Sequence, residues 1–210
     1  MRNNLLPVLK EGWNFIAWAF ALFLIFALLD FEIVEFISFV VLIGLIYLYR
    51  NPERELPLFQ NSSVTSPADG TVISIQELSD TEYGYKIEIE SDFTNVGVLR
   101  VPMTSSLAQI QHKQGTRVSK YSPLFSKTNE NALLIFENID GNKVQVVHTC
   151  KQSFDGIHTD IIKAQNLPQS YRYGTMINGV TTLYLPRNFR LNIHVANELK
   201  ASETLIGYFS

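Results

Sequence analysis

The chain has 210 residues, a mass of 23.9 kDa, a net charge of -3 and a pI near 5.8. That is enough for one good core plus an appendage, and it excludes the basic stripe that a nucleic-acid partner requires. The single cysteine, Cys150, cannot close an internal disulfide and fits a reducing compartment. Because Val144 to His148 before it resembles a strand, this thiol is expected to pack rather than to react.

In chain order, Gly12 to Leu29 ("GWNFIAWAFALFLIFALL") carries no charge and as a helix is roughly 27 Å long, close to a bilayer's hydrocarbon thickness. Asp30, Glu32 and Glu35 interrupt it before a second apolar run, Phe36 to Tyr49. Counted from Phe36 this helix reaches only about 21 Å, but from Phe31 about 28 Å, with its acids in the opening turns. An acid at mid-bilayer costs about 2.5 to 3.5 kcal/mol, so Glu32 and Glu35 belong at the far interface. Residues 1–50 are therefore expected to form a transmembrane helical hairpin, not a cleaved signal peptide: the run is too long, no small-residue cleavage site follows, and a second run comes directly after. Arg2 and Lys10 before the hairpin, and Arg50 and Arg54 after it, place both ends and the rest of the chain on the cytoplasmic side of the inner membrane. Trp13 and Tyr49 suit an interfacial belt on that side.

Residues 51–60 form a linker with two prolines and mixed charge. From residue 61 to 210 the texture is of short alternating segments and turns. The expected strands are Gly70–Gln76, Tyr85–Glu90, Val96–Val101, Leu107–His112, Ala132–Glu137, Lys143–Thr149, His158–Ile162, Thr181–Leu185, Asn192–Val195 and Thr204–Tyr208. Asp69-Gly70, Asp140-Gly141 and Asn178-Gly179 stand among the separators, and Asn178-Gly179 has the composition of a tight hairpin turn. Strands this short and frequent point to a closed or double-layered, mainly β body. Two local echoes, "QIQHKQGTRVSKYSPLF" and "NIHVANELKASETLIGYF", are similar to the hammerhead units of barrel-sandwich hybrid domains. Neither turn carries the exposed modification lysine of a carrier domain.

His112, His148, His158 and His194 are scattered over different segments, and no metal motif is present. Ser105-Ser106 has no nucleophile-elbow signature, and no Walker or Rossmann phosphate cradle occurs. What remains is "SPADG" (Ser66 to Gly70), "LRVP" (Leu99 to Pro102) and "TNENALLIFEN" (Thr128 to Asn138), each of which alone has the look of a structural turn or strand end.

Together and in order, these pieces resemble the short prokaryotic form of the phosphatidylserine decarboxylase family over almost the whole chain. The resemblance runs through Gly12-Trp13 and the two apolar runs, Arg50 to Pro57 ("RNPERELP", where the family has Arg-Asp-Pro-x-Arg-x-x-Pro), Ser66 to Gly70, and Asn129-Glu130. It continues through Gly174, Met176 and Ile177, with Thr175 intruding, to Tyr184-Leu185-Pro186 and Lys200 to Thr204. It implies an enzyme that makes phosphatidylethanolamine from phosphatidylserine with a pyruvoyl group built from its own backbone. A serine attacks the preceding carbonyl, the chain splits, and the new terminus serves as electron sink. An Asp and a His assist the cleavage.

Counting back from Tyr184-Leu185-Pro186, the family's Gly-Ser cleavage pair falls on Asn178-Gly179. The family's His, three residues before Arg100, falls on Gly97. Of the three reactive groups only the acid, Asp69, is retained. Thr181 and Thr182 offer displaced hydroxyls, but reaching them demands a shift along the strand.

The expectation is thus a membrane-anchored phosphatidylserine decarboxylase homologue without self-processing, pyruvoyl cofactor or metal. Its partner is membrane phospholipid, with Arg50, Arg54 and Arg100 near the headgroup phosphate, and a protein partner or a second copy is admitted. The rivals are an active decarboxylase using a displaced hydroxyl and a membrane-anchored scaffold.

Overall fold

The computed structural model describes residues 6–54, 59–60, 62–79 and 82–210. Arg2, Glu55 to Pro57 of the linker motif, and Asn61 at the expected domain start lie outside the described residues. The chain divides into two compact units, Met1–Glu53 and Arg54–Ser210. The division falls inside the expected linker and assigns Arg54 to the second unit.

The first unit is helical. A 3-10 turn (Lys10–Gly12) leads into α1 (Trp13–Leu28), and α2 (Glu32–Leu48) follows after a turn in which Asp30 takes a left-handed φ of 54°, a conformation aspartate tolerates better than most residues. Glu32 and Glu35 stand in the first turn of α2, where the helix dipole favours them. Lys10–Leu28 is long and apolar enough to cross a membrane. At the other end the Leu9 amide donates to the Tyr49 carbonyl (2.9 Å) and the Asn51 amide to that of Pro7 (2.8 Å). Gly12 is required by close approach, because a Cβ there would overlap the buried Tyr49 ring.

The second unit is mainly β. Among the described residues its strands are β1 (Ser63–Thr65), β2 (Gly70–Glu77), β3 (Tyr83–Ser91), β4 (Val98–Arg100), β5 (Ser105–Lys113), β6 (Asn131–Glu137) and β7 (Lys143–Cys150). They continue with β8 (His158–Thr159), β9 (Asn166–Leu167), β10 (Arg172–Thr175), β11 (Gly179–Pro186), β12 (Phe189–Leu191), β13 (Glu198–Leu199) and β14 (Leu205–Phe209). A short helical turn, α3 (Phe125–Thr128), precedes β6. The main sheet has eight strands in the order β13-β2-β3-β11-β7-β6-β5-β9, and two three-stranded sheets, β1-β14-β12 and β4-β10-β8, complete the unit.

Sequence alternation sets the core. In β6 the residues Ala132, Leu134 and Phe136 point inward, in β7 Val144, Val146, His148 and Cys150, and in β11 Thr181, Leu183 and Leu185. Each large apolar side chain so buried contributes about 1.5 to 3 kcal/mol. Asp140-Gly141 is a true turn between β6 and β7: Gly141 has φ 81°, and the Asn138 side-chain oxygen accepts from the Asp140 and Asn142 amides.

Three expected elements differ. Asn178-Gly179 is not a hairpin turn, because neither residue has positive φ and the strands it joins, β10 and β11, lie in different sheets. The chain bends at Ile177 and Asn178, and Gly179 already begins the central strand β11, paired with Ser91 of β3 and Cys150 of β7. Asn192–Val195 is not a strand. There the His194 amide donates to the Asn197 side chain (2.7 Å) and Ala196 takes φ 71°, a turn that returns the chain to pair β13 with β2. His158–Ile162 shortens to β8. The two sequence echoes also take different paths: the first runs from β5 into a long loop and α3, the second through the Asn192–Asn197 turn to β13 and β14.

Candidate functional site

The fold gathers Asp69, Gly97 and Asn178-Gly179 at one corner of the second unit. Asp69 ends the turn before β2 and is buried. Its carboxylate accepts from Arg54 Nη2 (2.6 Å) and from the Ala201 amide (2.8 Å), while its backbone carbonyl accepts from Ser91 Oγ (2.5 Å). Ser91 is the residue paired with Gly179. Gly70 beside Asp69 is dictated by contact, since a Cβ there would overlap the Glu90 carbonyl. Gly97 receives the Met176 amide on its carbonyl (2.8 Å), and a Cβ on it would stand 3.2 Å from the Met176 carbonyl oxygen and 3.3 Å from Ile177 Cα. The position matched to the family's His thus abuts the segment matched to the family's cleavage site.

Gly179 is closed off. A Cβ there would overlap the Met176 sulfur and lie 2.7 Å from the Thr149 carbonyl oxygen. Asn178 is pinned: its Nδ2 donates to the Gln152 carbonyl (2.7 Å) and its own carbonyl accepts from the Lys151 amide (2.9 Å). Its side-chain oxygen is buried without a hydrogen-bond partner. Asp69, the retained acid, is held in a buried ion pair and offers no lone carboxylate. At Gly179 itself there is no hydroxyl, and the Met176 side chain fills the space a serine side chain would need there.

The candidate cations divide by burial. The Arg54 side chain is 7% exposed, bound to Asp69 and 3.8 Å from Glu203. Arg100 is 5% exposed, on β4 opposite β10, with Nη1 3.5 Å from the Ser170 carbonyl. Both side chains are thus largely withdrawn from solvent. Arg50, in the first unit, lies over the Tyr47 ring at 3.9 Å and donates to the Tyr47 carbonyl (2.8 Å).

Two polar clusters are beyond what motif matching finds. The first flanks the corner: Lys151 Nζ, almost buried, binds Glu90 (2.7 Å) and Asp92 (2.6 Å), and Lys120 also donates to Glu90. Burial pushes the Glu90 carboxyl upward, but hydrogen bonds from Lys120 and Lys151 outweigh it and hold the group below the ordinary glutamate range. The second is in the core, where His148 Nδ1 meets Thr181 Oγ1 at 2.8 Å and Nε2 meets the Tyr173 hydroxyl at 2.5 Å. Burial, with the charge of His112 adding, lowers His148 to about 3, and burial raises Tyr173. The imidazole is neutral, and the Thr181 hydroxyl is engaged with it inside the core. Burial and the charge of Glu130 push the Cys150 thiol up to about 11, so it packs. No group of three His, Cys, Asp or Glu among the described residues could hold a metal.

Beyond Gly179, the outward face of β11 opens on a groove of about 510 Å³, lined by Val180, Thr182 and Tyr184 and roofed by Lys120, Phe125 and Ser126. Such a volume suits a small amphiphile's head and part of its chains.

A mainly β body follows an apolar helix, and the positions that resemble the family's marked residues meet at one corner. The family model for phosphatidylserine decarboxylase matches residues 43–207, and the chain belongs to that family. It is 31% identical to the phosphatidylserine decarboxylase proenzyme of Geobacter metallireducens over 99% of both chains. It is 29% identical to that of Desulfotalea psychrophila over 96% of both, and 29% identical to that of Geotalea uraniireducens over 99% of both.

Proposed function

We propose that the protein is a membrane-anchored member of the phosphatidylserine decarboxylase family that neither cleaves itself nor decarboxylates. It binds phospholipid as an accessory to phosphatidylethanolamine metabolism. The carrying observation is Gly179: it lacks a hydroxyl, and its surroundings leave no room for one. Gly97 in place of the family's His and the ion-paired state of Asp69 support the same reading. The two apolar helices are the anchor, a hairpin whose basic flanks keep the β body on the cytoplasmic side of the inner membrane. The β body is of the barrel-sandwich hybrid kind, and the groove beside Val180 is the lipid site.

The test is the intact mass of the purified chain under denaturing conditions, paired with CO2 release from phosphatidylserine. One species near 23.9 kDa and no CO2 agree with the proposal. Two species split between Ile177 and Thr182, with CO2 release that hydroxylamine blocks, would overturn it in favour of a displaced hydroxyl. Lipid extracted with the purified protein supports the groove. Crosslinks to protein partners with no lipid would instead favour a scaffold.

A further inference from the structure

Between Lys113 and Asn129 the chain carries four basic residues and no acid, in a protein whose net charge is -3. This segment is a loop with a stitched base and an open tip. At the base the Thr116 amide donates to the Thr128 carbonyl (2.8 Å) and the Glu130 amide to that of Thr116 (2.9 Å). The fully buried Asn129 ties the base to the sheet: its side-chain oxygen accepts from the Val118 amide, and its nitrogen donates to the Val118 and Cys150 carbonyls. Arg117 binds Glu130 (2.8 Å) and the Ser153 carbonyl (3.2 Å). At the tip Tyr121 is 86% exposed and Leu124 51% exposed. Lys120 stands 5.1 Å from the Tyr121 ring centre, and Lys113 and Lys127 are exposed at the sides.

Holding a loop this firmly only to set a tyrosine and a leucine in water has no packing benefit. Compact loops with tied ends are often functional. Apolar and aromatic groups flanked by exposed lysines, here Lys113 and Lys127, are the chemistry of an interfacial membrane contact: the rings enter the headgroup layer while exposed ammonium groups meet anionic phosphates. We infer that the Arg117–Lys127 tip docks on an anionic lipid surface, a membrane contact separate from the apolar helices. Its own Phe125 and Lys120 line the groove, so the tip would set the groove's mouth at the lipid headgroups. This goes beyond the accessory role proposed above and does not require the groove to be filled.

The test uses the full chain in nanodiscs, with an environment-sensitive dye on Tyr121→Cys and, separately, on Ile139→Cys as an exposed control. Cys150 is buried and remains unlabelled. The expected result is a roughly threefold fall in aqueous quenching of the Tyr121→Cys dye on going from neutral to anionic nanodiscs, reversed by high salt and by Lys113→Glu with Lys127→Glu. The Ile139→Cys dye should not respond. Equal quenching in neutral and anionic discs would overturn the inference, as would failure of the chain to associate with anionic bilayers at all. Protection already present in detergent and rising with protein concentration would also overturn it, because a second copy would then be covering the tip. Loss of co-purified lipid with the dye still protected would sink the groove and leave the docking tip standing.

Discussion

Gly179 and Thr181 lie two residues apart on the same strand, yet their surroundings treat polar chemistry in opposite ways. Around Thr181, a hydroxyl, an imidazole and a phenol are fully buried and hydrogen-bonded to one another, the condition under which buried polar groups are retained. Around Gly179 the hydroxyl and imidazole that the family resemblance calls for are absent, and a methionine side chain occupies the gap. The Thr181 hydroxyl is satisfied internally, whereas the Gly179 position carries no hydroxyl and has no space for one.

The largest effect expected concerns the acid of the corner. Asp69→Ala leaves Arg54 buried without its carboxylate, a loss of about 3 to 5 kcal/mol that a thermal melt in detergent would register as a large fall in Tm. If the variant melts normally, the ion pair does not hold the corner. Next comes the core trio. His148→Leu strands the Tyr173 and Thr181 hydroxyls and should cost about 2 to 4 kcal/mol by chemical denaturation, whereas Thr181→Val should cost less.

The same histidine gives a pH signature. Its folded value of about 3 lies below that of the unfolded chain, so the unfolded state binds the extra proton as the medium acidifies. Stability should be unaffected above about pH 6.5 and fall by roughly 1.4 kcal/mol per pH unit from there down toward the folded value. His148→Gln should flatten the denaturation midpoint in that window. Glu90, lowered in the folded state, adds its own loss only at more acidic pH as its folded pKa is reached.

Smaller still is Gly179→Ser, which restores the family's hydroxyl in a site without space and should cost about 1 to 3 kcal/mol by overpacking. Paired with Gly97→His it should still yield a single chain by mass. Cleavage in that pair would show that closure by Met176 is no barrier and that the missing side chains alone silence the site. Thr182→Val, on the groove face, should change stability by under about 0.5 kcal/mol and serves as the control on β11.

Much of the architecture was legible in the sequence because it rests on long or repetitive signals. The charge-free run before Leu29 and the alternation in Ala132–Glu137 and Lys143–Thr149 each specify their element locally. The short strands β8, β9, β10 and β13 carry too few residues for alternation, and their positions depend on partners far along the chain. Asn178-Gly179 shows why composition misleads: the glycine is there for closeness to Met176 and Thr149, not for a positive φ. Ordering by motif placed Asp69, Gly97 and Gly179 in one site, and the fold brings them to one corner. It did not reveal that Arg54 neutralises Asp69 or that Arg100 is buried, because both depend on packing rather than on spacing. Lys151, Glu90 and Asp92 were hidden for the same reason, being joined only by the register of β3, β11 and β7.

The central place of β11 also governs how the molecule recovers from damage. The strand pairs with β3 on one side and β7 on the other from its first residue, and in the unprocessed chain proposed above it stays tethered to β10. Its return to the sheet after heating is then an intramolecular search, with a midpoint independent of protein concentration. A chain severed at that bond would have to recapture its C-terminal fragment from solution, at a penalty that grows on dilution. The unbroken backbone proposed for this corner would make refolding of the sheet a matter for one molecule alone.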